Sequence, residues 1–181
     1  MLVEFEVVTI VAGRRGKGSG MSRRMLVATA AVAAMVLVAC GAAFAAEVSR
    51  EEYKEAAEPI CKASAKANER ILAGVRKEVR KGKLKTAAVK FAKASREQAR
   101  TLRELEALPR PSADEARLSK WFSYLKIEAE LFATAGRKLK AGDKPGAEHV
   151  FTKLSSNINK ANNQVLPFGF TYCRLNAAKI T

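Results

Sequence analysis

From residue 49 onward the chain falls into four stretches in which apolar side chains return every three or four positions, the spacing of one helix face. The first carries Tyr53, Ala57, Ile60, Ala63, Ala67, Ile71, Val75 and Val79. Ser49 with Glu52 three residues on makes a capping box at its start. Pro59 predicts a bend or a restart, because proline removes an internal donor, and Gly82 closes the stretch. The second carries Leu84, Ala88, Phe91, Ala99, Leu102, Leu105 and Leu108, with Ser95 a small polar member, and stops at Pro109-Arg110-Pro111. A second capping box, Ser112 with Glu115, opens the third, which carries Leu118, Trp121, Phe122, Leu125, Ala129, Phe132, Ala135 and Leu139. Ala141-Gly142-Asp143 ends it and supplies Asp143 as a cap for the fourth: Val150, Phe151, Leu154, Ile158, Ala161 and Val165, stopping at Pro167.

Short connections force successive helices to lie antiparallel. The expected fold is all-α: an up-down-up-down four-helix bundle over residues 46–181, with a short extended C-terminal tail. In that tail, Phe168-Gly169-Phe170-Thr171-Tyr172-Cys173, the period changes to two, and its aromatics are expected to plug one end of the bundle.

Upstream the pattern is different. Residues 25–46 contain no charge and follow Ser22-Arg23-Arg24, so residues 21–45 read as an export signal. Two processing chemistries overlap there. Ala43-Phe44-Ala45 suits a signal peptidase cutting before Ala46, and Leu37-Val38-Ala39-Cys40 resembles a lipobox with Cys40 as the lipidated residue. An uncut anchor ranks third, because the abundance of Ala and Gly makes the segment weakly apolar. Residues 1–20 are expected to be a non-native upstream extension, with translation starting at Met21. The expected location is extracytoplasmic, secreted or lipid-anchored at the cell membrane, with membrane contact only through a retained N-terminal anchor.

With Cys40 removed or lipidated, Cys61 and Cys173 remain. The alternating topology puts the start of the first helix and the end of the fourth at one pole. A Cys61–Cys173 disulfide is the expected pairing, and export supplies the oxidising compartment.

These features together resemble the small exported or lipid-anchored helical-bundle proteins of actinobacteria: the export signal, the early Cys of a capped first helix, Pro111-Ser112-Ala113-Asp114-Glu115-Ala116-Arg117, Ala141-Gly142-Asp143, and Gly169-Phe170-Thr171-Tyr172-Cys173. The resemblance covers most of residues 49–174. It implies location and shape, and no assigned activity or functional residue comes with it.

Composition narrows the chemistry. With 48% apolar residues, 11 Gly and 5 Pro, the chain is neither disordered nor fibrous. All four Met (Met1, Met21, Met25 and Met35) lie before residue 46, and His149 is the single histidine, expected in the first turn of the fourth helix. Neither a metal site nor a haem is expected from that inventory, because both need several convergent ligands. Hydrolase and phosphate-loop glycine signatures are missing. Glu128 and Glu130 lie two apart and so on different helix faces, and Trp121-Phe122 reads as core. The expectation is a non-enzymatic protein without cofactors.

The net charge of +15 speaks about partners. Arg76, Lys77, Arg80, Lys81, Lys83 and Lys85 stand against Glu78 in the turn after the first stretch, and Arg137, Lys138, Lys140 and Lys144 against Asp143 after the third. The topology brings both turns to one pole and leaves acidic segments, 47–58 and 104–115, at the other. Arg96, Arg100 and Arg103 extend the basic surface along the second helix. The basic tip is expected to meet an anionic envelope polymer or lipid headgroups. Specific nucleic-acid recognition is not expected, since no aromatics interleave the stripe. The plain alternative is that cations at helix C-termini complement the macrodipole on a solvated face. A carrier of a small apolar ligand within the bundle is the second functional reading, although the large stripe residues argue against a cavity.

Overall fold

The computed structural model describes residues 47–176. The upstream segment 1–20, the signal region 21–45 and Cys40 lie outside the described residues. The fold is an all-α four-helix bundle built from α1 (Arg50–Leu72), α3 (Leu84–Glu106), α4 (Glu115–Lys140) and α5 (Lys144–Gln164), with a short helix α2 (Val75–Arg80) continuing α1. Helix α3 packs against α4, α4 against α5, and α1 with α2 against α3.

Each helix starts and stops for a local reason. Ser49 and Glu52 form the expected capping box, with Ser49 Oγ accepting from the Glu52 amide and Glu52 Oε2 accepting from the Ser49 amide. Pro59 does not interrupt α1. It and Glu55, whose carbonyl loses its donor, sit on the exposed side, where water replaces the missing bond. The break comes instead at Ala73-Gly74, where Gly74 takes φ +74°, a left-handed conformation that glycine adopts without a Cβ clash. Lys90 of α3 fixes this corner, donating to the Ala73 carbonyl at 2.6 Å and to Glu78 at 2.7 Å.

The second expected capping box is not formed. Residues Ser112–Asp114 make a 3-10 turn, and Ser112 Oγ donates to Glu47 rather than capping α4. Asp114 does a different job: it is 3% exposed and receives two hydrogen bonds from the Arg50 guanidinium, both at 2.8 Å. That pair ties the start of α1 to the start of α4. At the other pole Asp143 caps α5 as expected, accepting from the Gly146 amide at 2.9 Å.

The core is two apolar clusters, one toward each pole. The first holds Tyr53, Ala57 and Cys61 of α1, Leu102 and Leu105, Leu118 to Leu125 of α4, and Val165, Phe168 and Phe170. The second holds Leu72 and Val75, Ala87 to Ala94, Phe132 to Leu139, and Ala147 to Ile158. The start of α1 thus meets the end of α3, the start of α4 and the end of α5, which is the alternating topology. Small residues let α3 and α4 approach closely: a Cβ on Gly136 would sit 3.1 Å from the Ala88 carbonyl oxygen.

The tail is neither helix nor strand after a 3-10 turn at Leu166–Phe168. Phe168 stacks on Phe170 (5.2 Å between centroids), Phe170 on Trp121 (5.7 Å), and Tyr53 meets Phe168 edge-on at 5.9 Å. These rings fill one pole. Beyond these rings the chain turns back between α1 and α5. Thr171 and Tyr172 amides donate to Glu58 of α1, Cys173 is bonded to Cys61 (S–S 2.05 Å), and Asn162 of α5 exchanges two hydrogen bonds with the Leu175 backbone at 2.8 and 3.1 Å.

Two stability predictions follow from this packing. Replacing Gly136 by Val forces α3 and α4 apart and should cost roughly 1–3 kcal/mol, read as a lower denaturant midpoint at unchanged slope. Replacing Cys61 and Cys173 together by Ser removes a crosslink of sequence separation 112. The chain-entropy account gives up to about 4–5 kcal/mol, so the unfolding midpoint should fall by roughly 10–20 °C in a thermal scan.

Candidate functional site

Every cation expected at the basic pole is solvent-exposed: Arg76, Lys77, Arg80, Lys81, Lys83, Lys85, Arg137, Lys138 and Lys140. The fold distributes them over adjoining surfaces rather than one patch. Lys83, Lys85 and Lys140 surround a hollow of about 370 Å³ between the α2–α3 and α4–α5 turns. Lys85, Arg96, Arg137 and Lys140 rim a shallow groove of about 460 Å³ floored by Ala88, Val89, Ala92, Ala133 and Gly136. Arg76, Lys77 and Arg80 face the other way, onto the seam between α1 and the tail.

The two carboxylates within these basic segments are already engaged. Glu78 pairs with Lys90 at 2.7 Å, and Asp143 pairs with Lys138 at 2.8 Å while capping α5. The hydrogen bond from Lys138 and the Gly146 amide hold the Asp143 carboxyl below the usual carboxylate range. Along α3 the expected basic stripe is interrupted, because Arg100 is bonded to both Glu97 and Glu104. His149 is exposed in the second turn of α5, not the first.

Periodicity did not reveal a belt of buried polar side chains between the two apolar clusters. Ser64 and Asn68 of α1, Gln98 and Thr101 of α3, Glu128 of α4 and Asn157 of α5 are each at most 8% exposed. Thr101 Oγ1 donates to Ser64 Oγ at 2.8 Å, Gln98 Nε2 donates to Glu128 Oε2 at 3.0 Å, and Asn157 Nδ2 donates to the Tyr124 carbonyl at 2.9 Å. The available signal was the 3.6 period itself: Ser64 and Asn68 continue the line Ala57, Cys61, Leu72, and Glu128 falls between Leu125 and Phe132.

Glu128 is fully buried, with Oε1 unpaired, and burial pushes its carboxyl up to about 8. The recess beside Ser64, Gln98 and Thr101 is only about 20 Å³, room for about one water. The bonds of the belt link α1 to α3 and α3 to α4, each possible at one vertical offset of the two helices.

The raised value fixes a pH dependence. A carboxyl that binds its proton more tightly folded than unfolded supports the fold fully below its ordinary value near 4.5. That support declines as pH rises, and the decline is complete near pH 8. Glu128→Gln should match the wild type near pH 4.5 and exceed it by a few kcal/mol (an order-of-magnitude figure) at pH 8.5, measured as urea stability against pH.

Among the described residues no helix is long and apolar enough to cross a membrane, and no three His, Cys, Asp or Glu side chains converge to hold a metal ion. Comparison of the chain with protein-family models, with curated proteins and with solved structures finds no match.

Proposed function

We propose that this is an exported cell-envelope protein that acts by binding rather than catalysis, presenting its basic pole to an anionic envelope polymer. The observation that carries the reading is the unneutralised charge: the carboxylates within the basic segments are consumed by Lys90, Lys138 and a helix cap, leaving Lys83, Lys85, Arg137 and Lys140 outside every ion pair of the described residues. A repeating phosphodiester polymer matches such a surface through many weak contacts, each releasing counterions. The disulfide supports export, since structural disulfides persist in oxidising compartments. The apolar segment 25–46 behind Arg23-Arg24 supports the same location.

The test is retention of the folded protein on an immobilised teichoic-type phosphodiester polymer over a salt gradient. Elution should move to lower salt by a large margin in Lys83→Ala/Lys85→Ala/Lys140→Ala, and retention should fade steeply with added salt. Retention that ignores salt, or a triple variant that elutes with the wild type, overturns the reading.

A further inference from the structure

A recess of about 810 Å³ lies away from the basic tip, in the seam where the C-terminal segment lies against α1 and α2. Its volume is that of a small-molecule site, which spans roughly 300–1,000 Å³. Its floor is apolar: Ala65, Leu72, Val75 and Leu175. Its rim is cationic, with Lys62, Lys66, Lys77, Arg80 and Arg174 among its lining residues and Glu69 the sole carboxylate lining it. No ion pair among the described residues engages those five cations. Lys62 instead lies over the ring of Tyr172, 5.0 Å from its centroid.

Asn68 borders the recess, but its Oδ1 is shut off from it. Cations around the mouth and an apolar floor describe two parts of one ligand: an anion and a chain.

We infer that the seam between α1–α2 and residues 171–176 binds a single-chain anionic phospholipid, with its acyl chain on the Leu72–Leu175 floor and its phosphate among Lys66, Lys77 and Arg174. The site is separate from the polymer-facing hollow, which is lined by Lys83, Lys85 and Lys140. One wall of the seam is the segment fastened by Cys61–Cys173 and by Asn162. An intact disulfide is therefore part of the binding site.

The experiment is calorimetric titration of the full chain, oxidised, with lysophosphatidylglycerol below its micelle concentration. Lysophosphatidylcholine and glycerol phosphate serve as the zwitterionic and chainless comparisons. Saturable one-to-one binding of the anionic lipid is expected, at least tenfold tighter than the zwitterion, with no binding of glycerol phosphate. Ala65→Phe, which fills the floor, and Lys66→Glu/Arg174→Glu, which changes only exposed side chains, should each weaken it at least tenfold while helicity is unchanged. Reduction of the disulfide should weaken binding. Polymer retention should survive Ala65→Phe, so failure of one site does not carry the other with it. Three results overturn the assignment: equal binding of the anionic and zwitterionic lipids, binding indifferent to all the seam variants, or binding that appears only after residues 177–181 are deleted.

Discussion

The bundle is held closed by a segment that is not a helix. The backbones of α1 and α5 barely approach one another, so the fourth side of the bundle is made by the chain returning after α5. Four kinds of contact fasten it: the Phe168–Phe170–Trp121 stack, the Glu58 carboxylate beneath two amides, the Cys61–Cys173 bond, and the paired hydrogen bonds of Asn162. Each alone would leave the segment free to peel away from one neighbour. Together they tie the returning segment to α4 at Trp121, to α1 at Glu58 and Cys61, and to α5 at Asn162, and the disulfide charges most of the entropy of that closure to the unfolded chain.

The buried polar belt gives the same bundle its register. Thr101 can reach Ser64 only at one vertical offset of α3 against α1, and Gln98 can reach Glu128 only at one offset of α4 against α3. Apolar clusters above and below tolerate sliding, since dispersion contacts are non-directional. Hydrogen bonds in a low-dielectric interior do not, because a slip of one turn leaves several donors and acceptors unpaired at once. The cost of this device is concentrated in Glu128, which must stay protonated to sit comfortably where it does.

Helix number, order and nearly every boundary were legible in the sequence, because Leu118 through Leu139 and Val150 through Val165 are strongly periodic and are bracketed by proline, glycine and Asp143. The Cys61–Cys173 pairing was legible through topology alone. What escaped shares a cause. Pro59 looks like an interruption until one knows that its side of α1 faces water, and Gly74 looks unremarkable until α3 supplies Lys90 to hold the corner. Ser112 resembles a cap, but its hydroxyl goes to Glu47, and Asp114 at the cap position is taken by Arg50, 64 positions away. Ser64, Gln98, Glu128 and Asn157 were passed over because a stripe drawn through apolar residues alone skips polar positions whose partners lie on other helices. Recognising them requires the packing partner, not the period.

The charge at the basic pole can be divided by asking which cations the helices themselves favour. Arg80, Arg137, Lys138 and Lys140 occupy last turns, where the macrodipole welcomes positive charge, and their presence needs no ligand. Lys83 and Lys85 are placed the other way. They stand at the cap and in the first turn of α3, which has no acidic residue there to offset the positive end of the dipole, whereas Lys144 opens α5 beside its capping Asp143 carboxylate. At these positions a carboxylate would stabilise the helix and a cation works against it. Helix electrostatics therefore accounts for the C-terminal cations and opposes the N-terminal ones, although both crowd the same end of the bundle. The proposed external anion would offset that cost at Lys83 and Lys85, and a polymer spanning both turns would engage the two kinds of cation together.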